Sequence, residues 1–125
     1  MNEINVTPWT GTDASANQAS QAFSGTGMWS VSATVVVATS GSVAGTLGFQ
    51  VSNTPPTGVG GPLAGPPAAN DASWTPAPGA VLSVTGQGSY VVGYEGPAFR
   101  WFRLAWFPSG GSTGTLNGSI YGYGA

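Results

Sequence analysis

The chain reads as all-β, an antiparallel β-sandwich of jelly-roll-like build with an extended N-terminal arm and a long Pro/Gly loop. Three observations carry this. No window places apolar residues at helical spacing, and Gly or Pro interrupts nearly every candidate helix. Several short stretches alternate apolar with small polar residues, as half-buried strands do. Turn-forming residues separate them, with 21 glycines and 10 prolines available for the connections. A length of 125 residues suits one domain with one core.

The elements follow in order. Met1–Ser24 has too few apolar residues to fold alone and reads as an extended arm, residues 1–24, docked on a neighbour. Within it, Ala14–Ala22 follows an N-cap-like Asp13 but lacks an apolar stripe, so it reads as a lead-in or strand edge. The sandwich domain takes residues 25–125. Met28–Thr39 opens it, with Trp29, Val31 and Ala33 alternating against Ser30, Ser32 and Thr34 before a β-branched run. Thr46–Ser52 alternates Leu47, Phe49 and Val51 with small or polar residues. Thr54–Asn70 holds five prolines and cannot be a central strand, because proline lacks the ladder donor. Loops of that length are usually functional or irregular. Val81–Val84 and Ser89–Tyr94 are two further short strands. Phe99–Phe107, FRWFRLAWF, is the most aromatic, and Thr115–Tyr123 closes the chain.

One pattern occurs twice. Met28–Ser52 runs strand, SGSVAGTL, strand; Phe99–Tyr123 runs strand, SGGSTGTL, strand. Ser40-Gly41 matches Ser109-Gly110, and Gly45-Thr46-Leu47 matches Gly114-Thr115-Leu116. Each unit reads as a hairpin, and the pair suggests two facing sheets with related edges.

Charge is scarce. The ionised side chains are Glu3, Asp13, Asp71, Glu95, Arg100 and Arg103, 5 % of the chain against about a quarter in a typical domain. With 41 % hydrophobic residues the chain can still form a core, so charge-driven disorder is excluded. A surface of Ser, Thr, Asn, Gln, Gly and Pro suits a protein packed into an assembly, since free monomers usually keep more surface charge. Two cations are too few for phosphate-backbone binding, so no nucleic acid is expected. The longest apolar run, Ala33–Ala38, broken only by Thr34, is far too short to span a bilayer as a helix, and no membrane partner is expected. MNEINVTPWTG has neither the basic nor the apolar part of a secretion signal, so cytosolic synthesis is expected.

Catalytic chemistry has little to draw on. Without His, Cys or Lys, neither a Ser–His nor a Cys–His nucleophile can be built, nor the usual zinc site. Asp71 and Glu95 could form a carboxylate pair only by folding together, and nothing in their spacing says that they do. Asn70-Asp71 alone does not make a calcium site. The expectation is a protein that is not an enzyme and holds no cofactor or metal.

FRWFRLAWF poses the functional question. As a strand it puts Phe99, Trp101, Arg103, Ala105 and Phe107 on one face and Arg100, Phe102, Leu104 and Trp106 on the other. Both faces are mostly apolar, so both need covers, from this chain or from a neighbour. Arg103 and Arg100 need partners, because a buried unpaired guanidinium is costly. Glu95 and Asp71 are the candidate counter-charges; another subunit is the alternative. Arg and Trp are also enriched at interface hot spots. The candidate interaction residues are therefore Trp101, Arg103, Trp9, Trp74, Arg100 and Glu95. A carbohydrate site would use Trp74, Trp101 and Trp106 as stacking platforms.

Several motifs together resemble small tailed-phage virion proteins. They are Phe49-Gln50-Val51-Ser52-Asn53 followed by Thr54-Pro55-Pro56, then Ser73-Trp74-Thr75, then Phe99-Arg100-Trp101-Phe102-Arg103-Leu104. The Ser109-Gly110 and Gly114-Thr115-Leu116 loop and the Ile-Tyr strand complete them. The similarity runs from Met28 to Tyr123. Where the family pattern has a short Asn-Asp-Pro turn, this chain has the long Pro/Gly loop. The resemblance implies a virion structural protein, a capsid decoration or cement protein on the major capsid lattice. It also implies a homo-oligomer, with a trimer at a symmetry axis as one form. A tail, fibre or head-fibre module binding host-surface glycans is the alternative; a secreted adhesin lacks its signal.

Overall fold

The computed structural model describes residues 2–53, 74–95 and 99–125. Two antiparallel sheets face each other across one core. The first holds β1 (Asn2–Asp13), β4 (Met28–Ala38), β7 (Gly88–Glu95) and β9 (Thr115–Gly124), in the order β1-β9-β4-β7. The second holds β2 (Gln18–Ala19), β3 (Phe23–Ser24), β5 (Gly45–Ser52), β6 (Thr75–Val84) and β8 (Trp101–Pro108). Its order is β2-β8-β5-β6, with β3 also on β8. The expected antiparallel sandwich is the observed one.

Alternation builds the core. Val31, Ala33, Val35 and Val37 of β4 and Leu116 and Ile120 of β9 point inward from the first sheet. Leu47 and Phe49 of β5 and Phe102, Leu104 and Trp106 of β8 meet them from the second. Phe102 anchors an aromatic cluster, with Phe23, Phe49 and Phe99 at centroid distances of 5.7, 5.9 and 5.9 Å. The buried Trp106 indole N–H donates to the Ala14 carbonyl at 3.0 Å, so its polar atom is satisfied.

The N-terminal segment is not an arm reaching a neighbour. β1 pairs along β9 of its own chain, from Asn2 opposite Gly124 to Asp13 opposite Thr115. Ile4 and Val6 pack on the core and Trp9 is buried within it. The apolar residues are few but fall on one face of the strand, which suffices when β9 supplies the ladder. Nor does residue 24 separate arm from body. Ser20 brackets Leu104, its backbone N–H donating to the Leu104 carbonyl at 2.8 Å and its hydroxyl accepting the Leu104 N–H at 2.9 Å.

The repeated motifs are also not hairpins. β4 and β5 lie in different sheets, as do β8 and β9, so each SG…GTL segment crosses between sheets. β4 pairs β9 while β5 pairs β8, the arrangement of two units related by a local two-fold. The two crossovers bond to each other at that axis. Thr113 N donates to Ser42 O at 2.7 Å, Ser109 N to Ala44 O at 2.9 Å, and the Thr39 and Thr113 hydroxyls meet at 3.1 Å. The matched glycines have one cause. A Cβ on Gly45 would sit 2.5 Å from the Phe107 carbonyl oxygen, and one on Gly114 would strike the equivalent carbonyl of Ala38.

Candidate functional site

Two surfaces carry the residues in question, the outer faces of the two sheets. On the five-stranded sheet, Arg103 of β8 stands opposite Gln50 of β5. Its Nε donates to Gln50 Oε1 at 2.8 Å, and its guanidinium lies 4.4 Å from the centre of the Trp74 ring. Arg103, Gln50, Ser52, Trp74 and Ala105 are all buried. The middle of the aromatic strand, at Arg103 and Ala105, is therefore covered on its outer face within the single chain, while Trp101 and Phe107 on that face are half-buried. A stacked, hydrogen-bonded guanidinium is a stable way to hold a cation away from water. Among the described residues the indole N–H groups of Trp74 and Trp101 find no acceptor. Beside this station Thr46, Gly48, Gln50, Pro76, Val81, Ala105 and Phe107 line a depression of about 210 Å³.

The expected Glu95 ion pair does not form. Tyr90, Val92 and Tyr94 of β7 turn toward the core, so Glu95 points out of the four-stranded sheet. Arg103 points out of the opposite sheet, with the full sandwich between them. Arg100 is exposed, and its backbone N–H donates to Asn53 Oδ1 at 2.8 Å. Asp71 lies outside the described residues, as does the loop 54–70. Of the candidate interaction residues, Trp9, Trp74 and Arg103 are buried, Trp101 is half-buried, and Arg100, just before β8, and Glu95, at the end of β7, are exposed. They do not form one site. Trp106 is fully buried, so the three rings proposed as a sugar platform present no shared exposed face.

The four-stranded sheet carries what that set lacks. Trp29 is 58 % exposed and Tyr121 and Tyr123 are each 40 % exposed. Trp29 and Tyr123 meet edge to face, 6.3 Å between centroids at 86°, and Tyr121 continues the row 6.3 Å from Tyr123. Val36 of β4 and Val91 of β7 are also exposed on this face, separated from the aromatic row by Ser32 and Thr34 of β4. Simple alternation puts Trp29 inside with Val31. A register shift between Met28 and Ser30 turns it outward instead, as a β-bulge does. That shift left no mark in the local pattern. Tyr121 and Tyr123 were accessible to parity, since Leu116 and Ile120 claim the inner face of β9.

Ser30 of β4 pairs with Tyr123 on one side and Glu95 on the other, and Glu3 of β1 pairs with Tyr123. Glu3, Tyr123, Ser30 and Glu95 thus form one rung across the sheet, with both carboxylates exposed. At the far end of β1, Asp13 accepts the Ser15 backbone N–H at 2.9 Å and the Ser15 hydroxyl at 2.8 Å. The backbone bond, then the hydroxyl, hold its carboxyl below the usual aspartate value. Among the described residues no three His, Cys, Asp or Glu side chains gather as metal ligands.

Fold and surface together define a small antiparallel sandwich whose chemistry lies on its sheet faces. No family model and no curated protein matches the sequence. Among solved structures, the chain is similar to the PBSX exported protein XepA, with TM-score 0.59 and 14 % identity. That match covers 98 % of this chain and 37 % of XepA, so the chain spans little more than a third of that protein. The shared feature is the fold. The SPBc2 prophage-derived protein YomS matches at TM-score 0.47 and 8 % identity over 97 % of this chain and 90 % of its own. A Tobacco streak virus coat protein dimer structure matches at 0.48 and 14 %, over 98 % and 86 %.

Proposed function

We propose that the protein is a structural component of a phage virion, a capsid decoration or cement protein that binds the major capsid lattice without catalysis. The observation that carries the reading is the exposed aromatic and apolar face formed by Trp29, Val36, Val91, Tyr121 and Tyr123. Large aromatic side chains exposed in a row, as Trp29, Tyr123 and Tyr121 are, mark an interaction site. The scarcity of charge, the motif resemblance to tailed-phage virion proteins and the fold shared with part of a phage exported protein support it. A protein that binds the assembled shell and not its free subunits stabilises that shell by mass action. A homo-oligomer seated on a symmetry axis is the form in which such binding closes.

The test is co-sedimentation with shells of the parent phage assembled without this protein. Saturable binding at a fixed ratio to the major capsid protein is expected, with a raised shell disruption temperature. No binding to shells, with the protein found on tails, refutes the reading. The glycan-binding alternative loses its original platform, because Trp74 and Trp106 are sealed inside the chain.

A further inference from the structure

We propose that the outer face of the four-stranded sheet recognises arginine or lysine side chains of a partner protein, held in the corner between Trp29 and Tyr123 and flanked by Glu3 and Glu95. The identity of that partner as the capsid protein rests on the reading above; the chemistry of the face does not.

The geometry of the rings comes first. Trp29 and Tyr123 stand at 86°, so they form a two-walled corner and not a flat platform. A flat sugar ring would stack on only one wall. A cation is attracted by the face of either ring, and perpendicular aromatic walls are the usual enclosure for an ammonium or guanidinium group. Both rings are exposed.

Charge supplies the second reason. Glu3 and Glu95 occupy the two outer positions of the rung Glu3–Tyr123–Ser30–Glu95. With strands about 4.8 Å apart, their backbones are about 14 Å apart with the aromatic corner between. Among the described residues this face carries no basic side chain. The chain has no lysine or histidine, Arg103 lies in β8 of the other sheet, and Arg100 directly precedes it. Two of the four acidic residues of a charge-poor chain thus stand on one rung with no basic side chain beside them. An apolar partner would leave this arrangement unused; a cationic one completes it. The chain itself shows the pairing, with Arg103 stacked 4.4 Å from Trp74 on the opposite sheet.

The experiment has two arms. In the first, the indole resonance of Trp29 is followed by NMR while a basic octapeptide of alternating arginine and glycine is added. Its alanine–glycine counterpart and a chito-oligosaccharide are the comparison probes. The basic peptide alone should shift Trp29. Glu3→Gln with Glu95→Gln should weaken that response roughly tenfold, as should Tyr123→Ser. Asp13→Asn, which removes a charge at the far end of the sheet, should leave it intact. In the second arm the same variants and Trp29→Ala are bound to shells across a salt series. The wild type should weaken with salt, and the double Gln variant should lose most of that dependence. No Trp29 response to the basic peptide, an equal response to the alanine peptide, or a response to the oligosaccharide alone overturns the inference. So does normal shell binding by all the variants, which leaves the capsid reading standing. A specific peptide response without shell binding sustains the cation-binding face and removes the capsid reading.

Discussion

Two tryptophans that look alike in the sequence should behave oppositely when truncated. Trp9 lies on β1 and is 3 % exposed, packed in the core beside Gly118; Trp29 lies on the bulge of β4 and is 58 % exposed. Replacing a buried aromatic with alanine removes its transfer free energy and leaves a cavity, together about 3–5 kcal/mol. Unfolding entropy near the midpoint is about 2.1 cal/mol/K per residue, so for a chain of this length 1 kcal/mol corresponds to about 4 °C. Trp9→Ala should therefore lower the Tm by about 10–20 °C. Trp29→Ala removes surface already in water and should move it by about 2 °C or less. Thermal unfolding followed by far-UV circular dichroism reads both. Trp9→Phe, which keeps a ring in the site, should fall between them and guards against a variant that fails to fold. Equal small shifts for Trp9→Ala and Trp29→Ala would refute the placement of β1 as an integral strand and restore a detached arm.

Three further outcomes follow from particular contacts. Arg103→Lys keeps the charge but loses the planar stack on Trp74 and the Nε bond to Gln50, and should cost about 2 kcal/mol in chemical denaturation. Gly45→Ala and Gly114→Ala each drive a Cβ into a strand carbonyl, of Phe107 in β8 and of Ala38 in β4, and should cost about 1–3 kcal/mol, whereas Gly110→Ala, open on all sides, should be near neutral. The Asp13 carboxyl, held in its charged form by Ser15, should titrate by NMR below the ordinary aspartate value and return toward it in Ser15→Ala. Because its folded pKa is depressed, the stabilisation it gives is present above its unfolded-state pKa. It is lost as pH falls through the folded value.

The alternation of β4, β5 and β9 made the sandwich and much of its core legible, because small polar residues mark the outer face at most alternate positions. Parity groups Phe102, Leu104 and Trp106 on one face of β8, and that face lies in the core. Long-range pairing was not legible. The SG…GTL segments contain turn chemistry that serves a hairpin or a crossover equally well, and only the pairing of β4 with β9 and β5 with β8 decides between them. β1 looked too polar to fold because its partner, β9, lies more than a hundred residues away in sequence. Glu95 is near Arg103 along the chain yet lies on the other sheet, while Gln50, opposite Arg103 across the sheet, bonds its guanidinium and Trp74 stacks on it, since neighbours in a sheet are set by register. Trp29 was hidden by a one-residue bulge, the smallest change that reverses the face of a side chain.

The decisive measurement is a reconstruction of the intact phage particle at a resolution that separates the two sheets. The proposal requires copies of the sandwich on the shell, with Trp29, Tyr121 and Tyr123 of the four-stranded sheet against the capsid lattice and basic side chains of that lattice between Glu3 and Glu95. A shell bare of this protein, or copies seated on the tail, would contradict it.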